Sequence, residues 1–374
     1  MVSGIQSNRK AFFGSIVALS FALNACGTAK PPAENTSSPG TNQSTTSGTP
    51  ATPVAASGDA VSINGAGATF PAPLYERWFS EYNKLHPNIK ISYQSVGSGA
   101  GVKQFIEGTI DFGASDVAMK DEEIAKVKNG VVLMPMTAGS IVLAYNLPGV
   151  TNLKLPRKVY TDIFLGKITK WNDEAIAKAN DGVKLPDKPI TVIYRSDGSG
   201  TTGVFTKHLS AISEDWKKGP GEGKSVQWPV GNGGKGNEGV TQLVKQTEGA
   251  IGYVEYGYAK NNSLSMAALE NKSGKIVEAT PETAAKTLAA VKLPEDFRAF
   301  IPDPEGEDSY PIVSYTWLLI PKKIENGAKA KAMEDVVKWG LTDGQKFSKE
   351  LGFIPLPDEV VNKVKPVAEN ISPN

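Results

Sequence analysis

The sequence has very few of the side chains that metal sites and disulfides need. Its 374 residues include one cysteine, Cys26, and two histidines, His86 and His208. A single cysteine excludes an intrachain disulfide in any compartment. Because zinc is held mainly by cysteine and histidine, a zinc site is not expected either. The sequence therefore predicts no metal site and no cofactor.

The sequence also has almost no excess charge of either sign. It contains 40 basic and 39 acidic residues, which gives a formal net charge of +1. Such a chain creates no long-range field that would attract nucleic acid or an acidic membrane surface, so no nucleic-acid partner is predicted. Any anion site must be a local arrangement of donors. A hydrophobic content of 40% and a charged content of 21% are typical of a soluble globular protein, and the length favours two or three domains.

No apolar run is long enough to span a membrane in the mature protein. Residues 11–23 are apolar, follow the basic pair Arg9 and Lys10, and lead into Leu-Asn-Ala-Cys. This pattern resembles a bacterial lipoprotein signal peptide over residues 1–25, with Cys26 as the lipidated residue. The alternative is an ordinary secretory signal followed by an unmodified cysteine. Cleavage before Cys26 would leave 38 basic and 39 acidic residues.

Residues 26–59 consist largely of Ser, Thr, Pro, Gly, Asn and Ala. They cannot bury enough apolar surface to offset their ordering entropy, so they are predicted to form a disordered tether. The sequence thus predicts an exported protein, lipid-anchored to the outer face of the plasma membrane or in the periplasm.

From residue 60 onward, apolar periodicity predicts alternating strands and helices. This alternation indicates an α/β fold with a mainly parallel sheet. The predicted strands are 61–64, 89–93, 110–116, 131–135, 140–145, 190–194, 249–256 and 311–320. The predicted helices are 73–85, 102–107, 160–165, 173–178, 203–209, 240–246, 329–341 and 345–351, and residues 226–239 are predicted to be a loop.

Three glycine-rich turns, residues 65–70, 97–101 and 195–202, each lead from a predicted strand into a predicted helix. The first amides of a helix have no partner within it, and together with the helix dipole they favour an anion. Each turn alone is equally compatible with an ordinary capped helix. However, ligands bind at the carboxyl ends of strands in open α/β sheets, where three such turns can converge. Arg195 adds a planar fork of donors suited to a tetrahedral oxyanion.

Several enzymatic alternatives do not fit the sequence. The first turn lacks the third glycine of a dinucleotide-binding fingerprint, and the Gly-Gly-Lys-Gly run near residue 234 lacks the spacing of a phosphate-binding loop. Ser199 could be considered a nucleophile, but His208 lies nine residues further along, a distance of about 13 Å at the helical rise of about 1.5 Å per residue. An enzyme is therefore not expected. Two alternatives stay open: a phosphatase or phosphotransferase with the same anion cradle, and a binding protein for sulfate or molybdate.

Six stretches of the sequence resemble the phosphate-binding protein of bacterial phosphate ABC importers. They occur in the same order and lie at residues 65–73, 97–104, 111–116, 165–172, 195–202 and 249–256. The resemblance runs from about residue 60 to the C-terminus. It implies a monomeric, two-lobed periplasmic-binding-protein fold of type II, whose lobes are joined by two crossover strands. Lobe I would comprise residues 60–145 and 309–374, and lobe II residues 146–308. The implied partners are inorganic phosphate and the membrane permease subunits of the importer.

The resemblance also implies a set of phosphate ligands, with the anion held by hydrogen bonds alone. The implied ligands are Ala68, Thr69, Phe70, Ser98, Asp116, Arg195, Ser199, Gly200 and Thr201, and Asp197 would orient Arg195. Asp116 would be the one acceptor among donors. A charged acceptor in an anion site is costly unless the ligand brings a proton. Phosphate keeps a proton near neutral pH and sulfate does not, so Asp116 is expected to discriminate between the two.

Overall fold

A mixed sheet of nine strands runs through residues 60–371, the part of the chain that the computed structural model describes. Its strand order is β2-β1-β3-β12-β4-β8-β6-β7, and β9 pairs with β4; β11, β10 and β5 form a second, small sheet. The strands are β1 Val61–Gly67, β2 Ile89–Ser95, β3 Phe112–Ser115, β4 Val131–Tyr145, β5 Lys154–Leu155, β6 Thr191–Arg195, β7 Asn232–Gly234, β8 Ala250–Glu255, β9 Ser265–Met266, β10 Ala268–Glu270, β11 Ile276–Val277 and β12 Val313–Pro321. The predicted signal peptide, Cys26 and the tether lie outside the described residues.

Helices connect most of these strands and cover the main sheet. They are α1 Ala72–Leu85, α2 Ser98–Glu107, α3 Asp121–Ile124, α4 Arg157–Phe164, α5 Glu174–Ala179, α6 Gly200–Ile212, α7 Glu214–Lys218, α8 Gly236–Gln246, α9 Tyr256–Asn261, α10 Pro281–Ala289, α11 Gly327–Leu341, α12 Ser348–Leu351 and α13 Asp358–Ala368. Within residues 60–371, no helix combines the length and the apolar character that crossing a bilayer requires.

Strand direction divides the main sheet into two parallel ends and an antiparallel centre. β1 pairs in parallel with β2 and β3, and β6 pairs in parallel with β7 and β8. In the centre, β12 is antiparallel to β3 and β4, and β4 is antiparallel to β8. The predicted parallel pairing therefore holds at the two ends, while the sheet as a whole is mixed.

The centre of the sheet is built on β4, a single strand of 15 residues. The sequence predicts two strands here, 131–135 and 140–145, and that prediction is wrong. The intervening residues pair with β12, and the register shifts opposite Thr316 and Trp317, which indicates a bulge. Pro135 suggests a break in the strand, but it pairs with Trp317 beside the bulge, and Gly139 pairs in register with Ser314. Residues 141–145 then pair with β8, so one strand links the two ends of the sheet.

Two further predictions need correction. Residues 226–239 are not all loop, because they include β7 and the start of α8. Residues 345–351 are not one α-helix, because a 3-10 helix, Asp343–Phe347, precedes α12. A glycine-rich run has no apolar periodicity, so β7 could be identified only through its pairing with β6.

His208 lies on α6 and is fully buried, with both ring nitrogens hydrogen bonded. Nδ1 is 2.7 Å from the Pro302 carbonyl oxygen, and Nε2 is 2.7 Å from the Tyr160 hydroxyl. Because a carbonyl only accepts, Nδ1 carries the proton and Nε2 accepts from Tyr160. Burial lowers the pKa of His208 to about 4. His208 is thus a neutral structural group that ties α6 to α4 and to the segment around Pro302.

We expect the free energy of unfolding to fall as the pH drops from about 6.5 toward 4, in part because of His208. The folded-state pKa lies below that of the unfolded chain, so the unfolded state takes up the proton first. The contribution is fully present above pH 6.5 and amounts to at most about 3 kcal/mol. Denaturant unfolding at a series of pH values should show a shallower pH dependence for His208→Gln than for the wild type. His86→Gln, at an exposed position, is the control, and equal slopes for all three proteins would contradict the assignment.

Candidate functional site

The three glycine-rich turns follow β1, β2 and β6 and meet at one place. The second and third turns touch through their backbones, since the Gly99 amide donates to the Gly198 carbonyl at 2.7 Å. A Cβ atom added at Gly200 would lie 2.4 Å from Ser98 Oγ and 2.6 Å from an Asp116 carboxylate oxygen. The start of α6 therefore packs directly against the start of α2 and the end of β3, as the sequence predicted for a shared cleft.

Arg195 is the last residue of β6, and its side chain is only 1% exposed. Nε donates to one carboxylate oxygen of Asp197 at 2.8 Å, and Nη2 donates to the other at 2.6 Å. Burial disfavours both charges, but their mutual hydrogen bonds hold the pKa of Asp197 below and that of Arg195 above the ordinary value. The Gly236 amide donates to the same carboxylate at 3.0 Å. Asp197 thus fixes the guanidinium, whose Nη1 lies 3.3 Å from Thr201 Oγ1.

Asp116 directly follows β3 and is 1% exposed. Its Oδ1 accepts from the Thr316 hydroxyl at 2.9 Å, and its Oδ2 lies 3.4 Å from Ser98 Oγ. Burial raises the pKa of Asp116 to about 7, against the opposing effects of Thr316, Arg195 and Ser98. A carboxyl group with this pKa is close to half-protonated at neutral pH, so it can share a proton with a ligand.

Four buried hydroxyl groups surround the same region: those of Thr69, Ser98, Ser199 and Thr201. Ser199 is the N-cap of α6, and its Oγ accepts from the Thr202 amide at 3.0 Å. Because Ser199 Oγ acts as an acceptor in this bond, its hydroxyl proton is still available to be donated to a ligand. Phe70 is buried beside Thr69, where its ring contacts Phe353 with 6.2 Å between ring centroids.

Two amides assigned to the ligand set are already used within the protein. The Ala68 amide donates to the Ala114 carbonyl at 3.0 Å, and the Ser199 amide donates to the Lys224 carbonyl at 2.8 Å. An N–H group has one proton, so neither amide is available to an anion in this conformation. These bonds hold two of the turns in place instead. The amides of Gly200 and Thr201 open α6 and precede its internal hydrogen bonds, so they remain suited to an anion.

Two residues at the site were missed in the sequence. Thr316 lies in the apolar strand β12, where a single threonine gives no functional signal, yet its hydroxyl donates to Asp116. Asn237, in the first turn of α8, donates to Thr69 Oγ1 through its main-chain and side-chain nitrogens at 3.1 and 2.8 Å. Asn237 falls in the stretch 226–239 that was predicted to be a loop, and no local pattern indicated what it contacts.

The arrangement combines many donors with one carboxyl acceptor. Such a set suits a tetrahedral anion that carries a proton. His208 is not available as a base for Ser199, because both of its ring nitrogens are hydrogen bonded elsewhere. Residues 60–371 contain no group of three or more His, Cys, Asp or Glu side chains that could hold a metal ion.

Gly200→Ala is expected to weaken anion binding without destabilising α6. The added methyl group would meet Ser98 Oγ and Asp116 at under 3 Å, so the turns could not pack as they do here. Alanine is the better helix former by about 1 kcal/mol, so the helix itself should be retained, which far-UV circular dichroism checks. Gly327→Ala at the start of α11, where a Cβ atom meets nothing within 4 Å, is the matched control. Calorimetric titration of both variants with phosphate checks the prediction, and unchanged binding in Gly200→Ala would contradict it.

Comparison with known proteins gives the family. Residues 39–343 match the model of the PBP superfamily domain. The chain is 46% identical over 310 residues to the phosphate-binding protein PstS of Pasteurella multocida (strain Pm70), a match that covers 82% of this chain and 89% of that protein. The chain belongs to the PstS family of phosphate-binding proteins.

Other PstS relatives extend over the same region. The phosphate-binding protein PstS of Methanocaldococcus jannaschii is 41% identical over 325 residues, which cover 80% of this chain and 83% of that protein. A phosphate ABC transporter substrate-binding protein from Clostridium perfringens, solved with bound phosphate, is 21% identical with a TM-score of 0.58 over 79% of this chain and 100% of that chain. This likeness concerns the fold. The predicted family and the predicted two-lobed type II periplasmic-binding fold are confirmed.

Proposed function

We propose that this PstS-family protein binds inorganic phosphate in the cleft between its lobes and delivers it to the permease of a phosphate ABC importer. The observation that carries the proposal is the buried set of donors around Arg195, with Asp116 as the one carboxyl acceptor. The Pasteurella relative is named for phosphate binding, and the Clostridium protein was solved with phosphate bound. The name of the Pasteurella relative supports the function predicted from the sequence.

We propose that the phosphate is held by hydrogen bonds from three sources. The first is the Arg195 guanidinium. The second is the hydroxyls of Thr69, Ser98, Ser199 and Thr201. The third is the set of amides at the helix starts and turns: those of Thr69, Phe70, Ser98, Gly200 and Thr201. Asp116 accepts the proton that phosphate retains, and its raised pKa of about 7 fits a shared proton.

The ligand is proposed to enter by separation of the lobes, since the proposed contacts are buried in this conformation. The lobes are inferred to comprise residues 60–145 with 309–374, and residues 146–308. β4 supports this division, because its first part pairs with β12 and its last part with β8. β4 and β12 would be the crossover strands. Two hydrogen bonds would form when the lobes close: the one from Gly99 to Gly198 and the one from Asn237 to Thr69. The protein is inferred to act as a monomer.

Calorimetric titration of the purified, phosphate-stripped protein tests the proposal. We expect one phosphate per chain and no comparable heat from sulfate. Absence of phosphate binding would overturn the proposal, and equal or stronger binding of sulfate or molybdate would favour a different oxyanion. No enzymatic activity is inferred, since the Pasteurella relative is named for phosphate binding and both ring nitrogens of His208 are hydrogen bonded away from Ser199. Release of product from a chromogenic phosphate ester by the pure protein would contradict that inference.

Cys26 is proposed to carry the lipid anchor, although it lies outside the described residues. The basic start, the short apolar run and the Leu-Asn-Ala-Cys ending support lipidation. Cys26→Ala should appear in the soluble fraction once its signal peptide has been cleaved, whereas Thr28→Ala should remain with membranes. Cell fractionation followed by immunoblotting measures both, and persistent membrane association of the cysteine variant would contradict a lipid anchor at this residue.

A further inference from the structure

Asn237 is a fully buried residue in the first turn of α8 that contacts two of the proposed phosphate ligands. Its Nδ2 lies 2.8 Å from Thr69 Oγ1 and 3.3 Å from Thr201 Oγ1. Thr69 belongs to the first glycine-rich turn and Thr201 to the third. Asn237 therefore joins two turns that are 132 residues apart in the sequence.

The orientation of the Asn237 side-chain amide is fixed by a partner on its other side. The main-chain amide of Glu255 points at Asn237 Oδ1 at 2.9 Å. An N–H group donates, so the atom facing Glu255 has to be the oxygen, and the NH2 group faces the two threonines. Asn237 is therefore a donor to both hydroxyls.

These donors leave each threonine hydroxyl with one possible role. A hydroxyl group has two lone pairs and one proton. Thr69 Oγ1 accepts from the main-chain and side-chain nitrogens of Asn237. Thr201 Oγ1 accepts from Asn237 Nδ2 and from Arg195 Nη1, both at 3.3 Å. With both lone pairs engaged, each oxygen has only its proton left to offer.

We propose that Asn237 is a positioning residue in the phosphate site. By donating to the hydroxyl oxygens of Thr69 and Thr201, it leaves both hydroxyl groups able to act only as hydrogen-bond donors toward the anion. The inference rests on the proposed function. A free hydroxyl can rotate and present either a proton or a lone pair, and a lone pair repels an anion. Asn237 removes that freedom at Thr201 within its own lobe and at Thr69 once the lobes close, so neither hydroxyl presents a lone pair to the bound phosphate.

A double-mutant cycle on phosphate affinity separates this role from simple packing. The proteins are the wild type, Asn237→Ala, the pair Thr69→Val with Thr201→Val, and the combined triple variant. Asn237→Ala should weaken phosphate binding about tenfold or more, and the threonine pair roughly 10- to 100-fold. The triple variant should bind within about twofold of the threonine pair, because Asn237 then has no hydroxyl left to orient. Calorimetry at one pH and salt concentration gives the four dissociation constants.

Asn271 provides a matched control. It is also a fully buried asparagine, and its Nδ2 donates to the carbonyls of Gly306, Glu307 and Ser309, away from the proposed ligands. Asn271→Ala should lower the thermal midpoint and leave phosphate affinity unchanged, which identifies any effect of general destabilisation. If Asn237→Ala does not fold, Asn237→Ser replaces it, since serine at a helix start is tolerated but is too short to reach both threonines.

The outcomes distinguish the two proposals. If the folded wild type does not bind phosphate, the proposed function fails. If the wild type binds phosphate but Asn237→Ala binds equally well, or if the losses from Asn237→Ala and the threonine pair multiply, the positioning role of Asn237 is overturned while the function stands.

Discussion

Arg195→Ala should weaken phosphate binding by roughly 100- to 10,000-fold, the largest loss expected from any single ligand side chain. The guanidinium is buried and held rigid by Asp197. Charge-assisted hydrogen bonds contribute about 1.5–3 kcal/mol each, and a planar fork can make two to one anion. Calorimetric titration with phosphate measures the loss directly.

Ser98→Ala is the comparison for Arg195→Ala. Ser98 is equally buried and also lies in the cleft, but its hydroxyl is neutral, so we expect a loss of about tenfold. Near-equal losses from the two variants would show that main-chain amides dominate binding. Because Arg195→Ala leaves the Asp197 carboxylate without its partner, Arg195→Ala with Asp197→Asn should be made as well. Recovery of most of the affinity in that protein would assign the loss to the unpaired carboxylate.

Asp116→Asn should narrow the preference for phosphate over sulfate, chiefly by improving sulfate binding. The wild-type carboxylate faces a protonated phosphate oxygen with a strong hydrogen bond, but it faces only lone pairs on sulfate. Selection of this kind acts through repulsion of the wrong ligand. Asparagine removes the charge and brings an NH2 donor, while its oxygen can still accept from phosphate or from Thr316. Competition between the two anions at one pH and salt concentration gives the ratio, and an unchanged ratio would exclude Asp116 as the discriminator.

The same residue predicts how selectivity changes with pH. The pKa of Asp116 is raised to about 7, first of all by burial. Phosphate and Asp116 together already hold one proton at neutral pH, whereas sulfate can be accommodated only if Asp116 takes one from solvent. Sulfate affinity should therefore rise as the pH falls toward about 7, by about tenfold per pH unit at most, and level off below it, where Asp116 is already protonated; this rise should be absent in Asp116→Asn. A sulfate affinity of the wild type that does not depend on pH would contradict the assignment.

The sequence was sufficient for features that depend on neighbouring residues. The turn after β6 could be predicted because a β-branched run, a glycine pair and the capping residue Ser199 occur in consecutive positions. Features that depend on distant pairing were not predictable. The continuity of β4 follows from its ladder with β12, about 180 residues away along the chain. The roles of Thr316 and Asn237 depend on contacts with Asp116 and Thr69 that no local pattern specifies.

The phosphate ligands implied by the family resemblance were subject to the same limit, because the sequence does not show which individual hydrogen-bond donors are free. Ala68 and Ser199 occupy the turns where they were expected. However, their amides bond to Ala114 and Lys224, and this could be known only once the neighbouring backbone was placed. A family resemblance can thus locate a binding residue without identifying which of its donors is available.

The burial of the cleft has a consequence for kinetics. Ser98, Asp116 and Thr201 are at most 1% exposed, so an anion bound at the proposed site would be shielded from solvent while the turns remain in contact. Its rate of departure should then be limited by the rate at which the protein opens, and an excess of competing anion in solution should not accelerate it. A permease that binds both lobes and separates them would release the phosphate without itself replacing any of the hydrogen bonds that hold it. Docking of this protein to the permease would then determine when the phosphate is transferred.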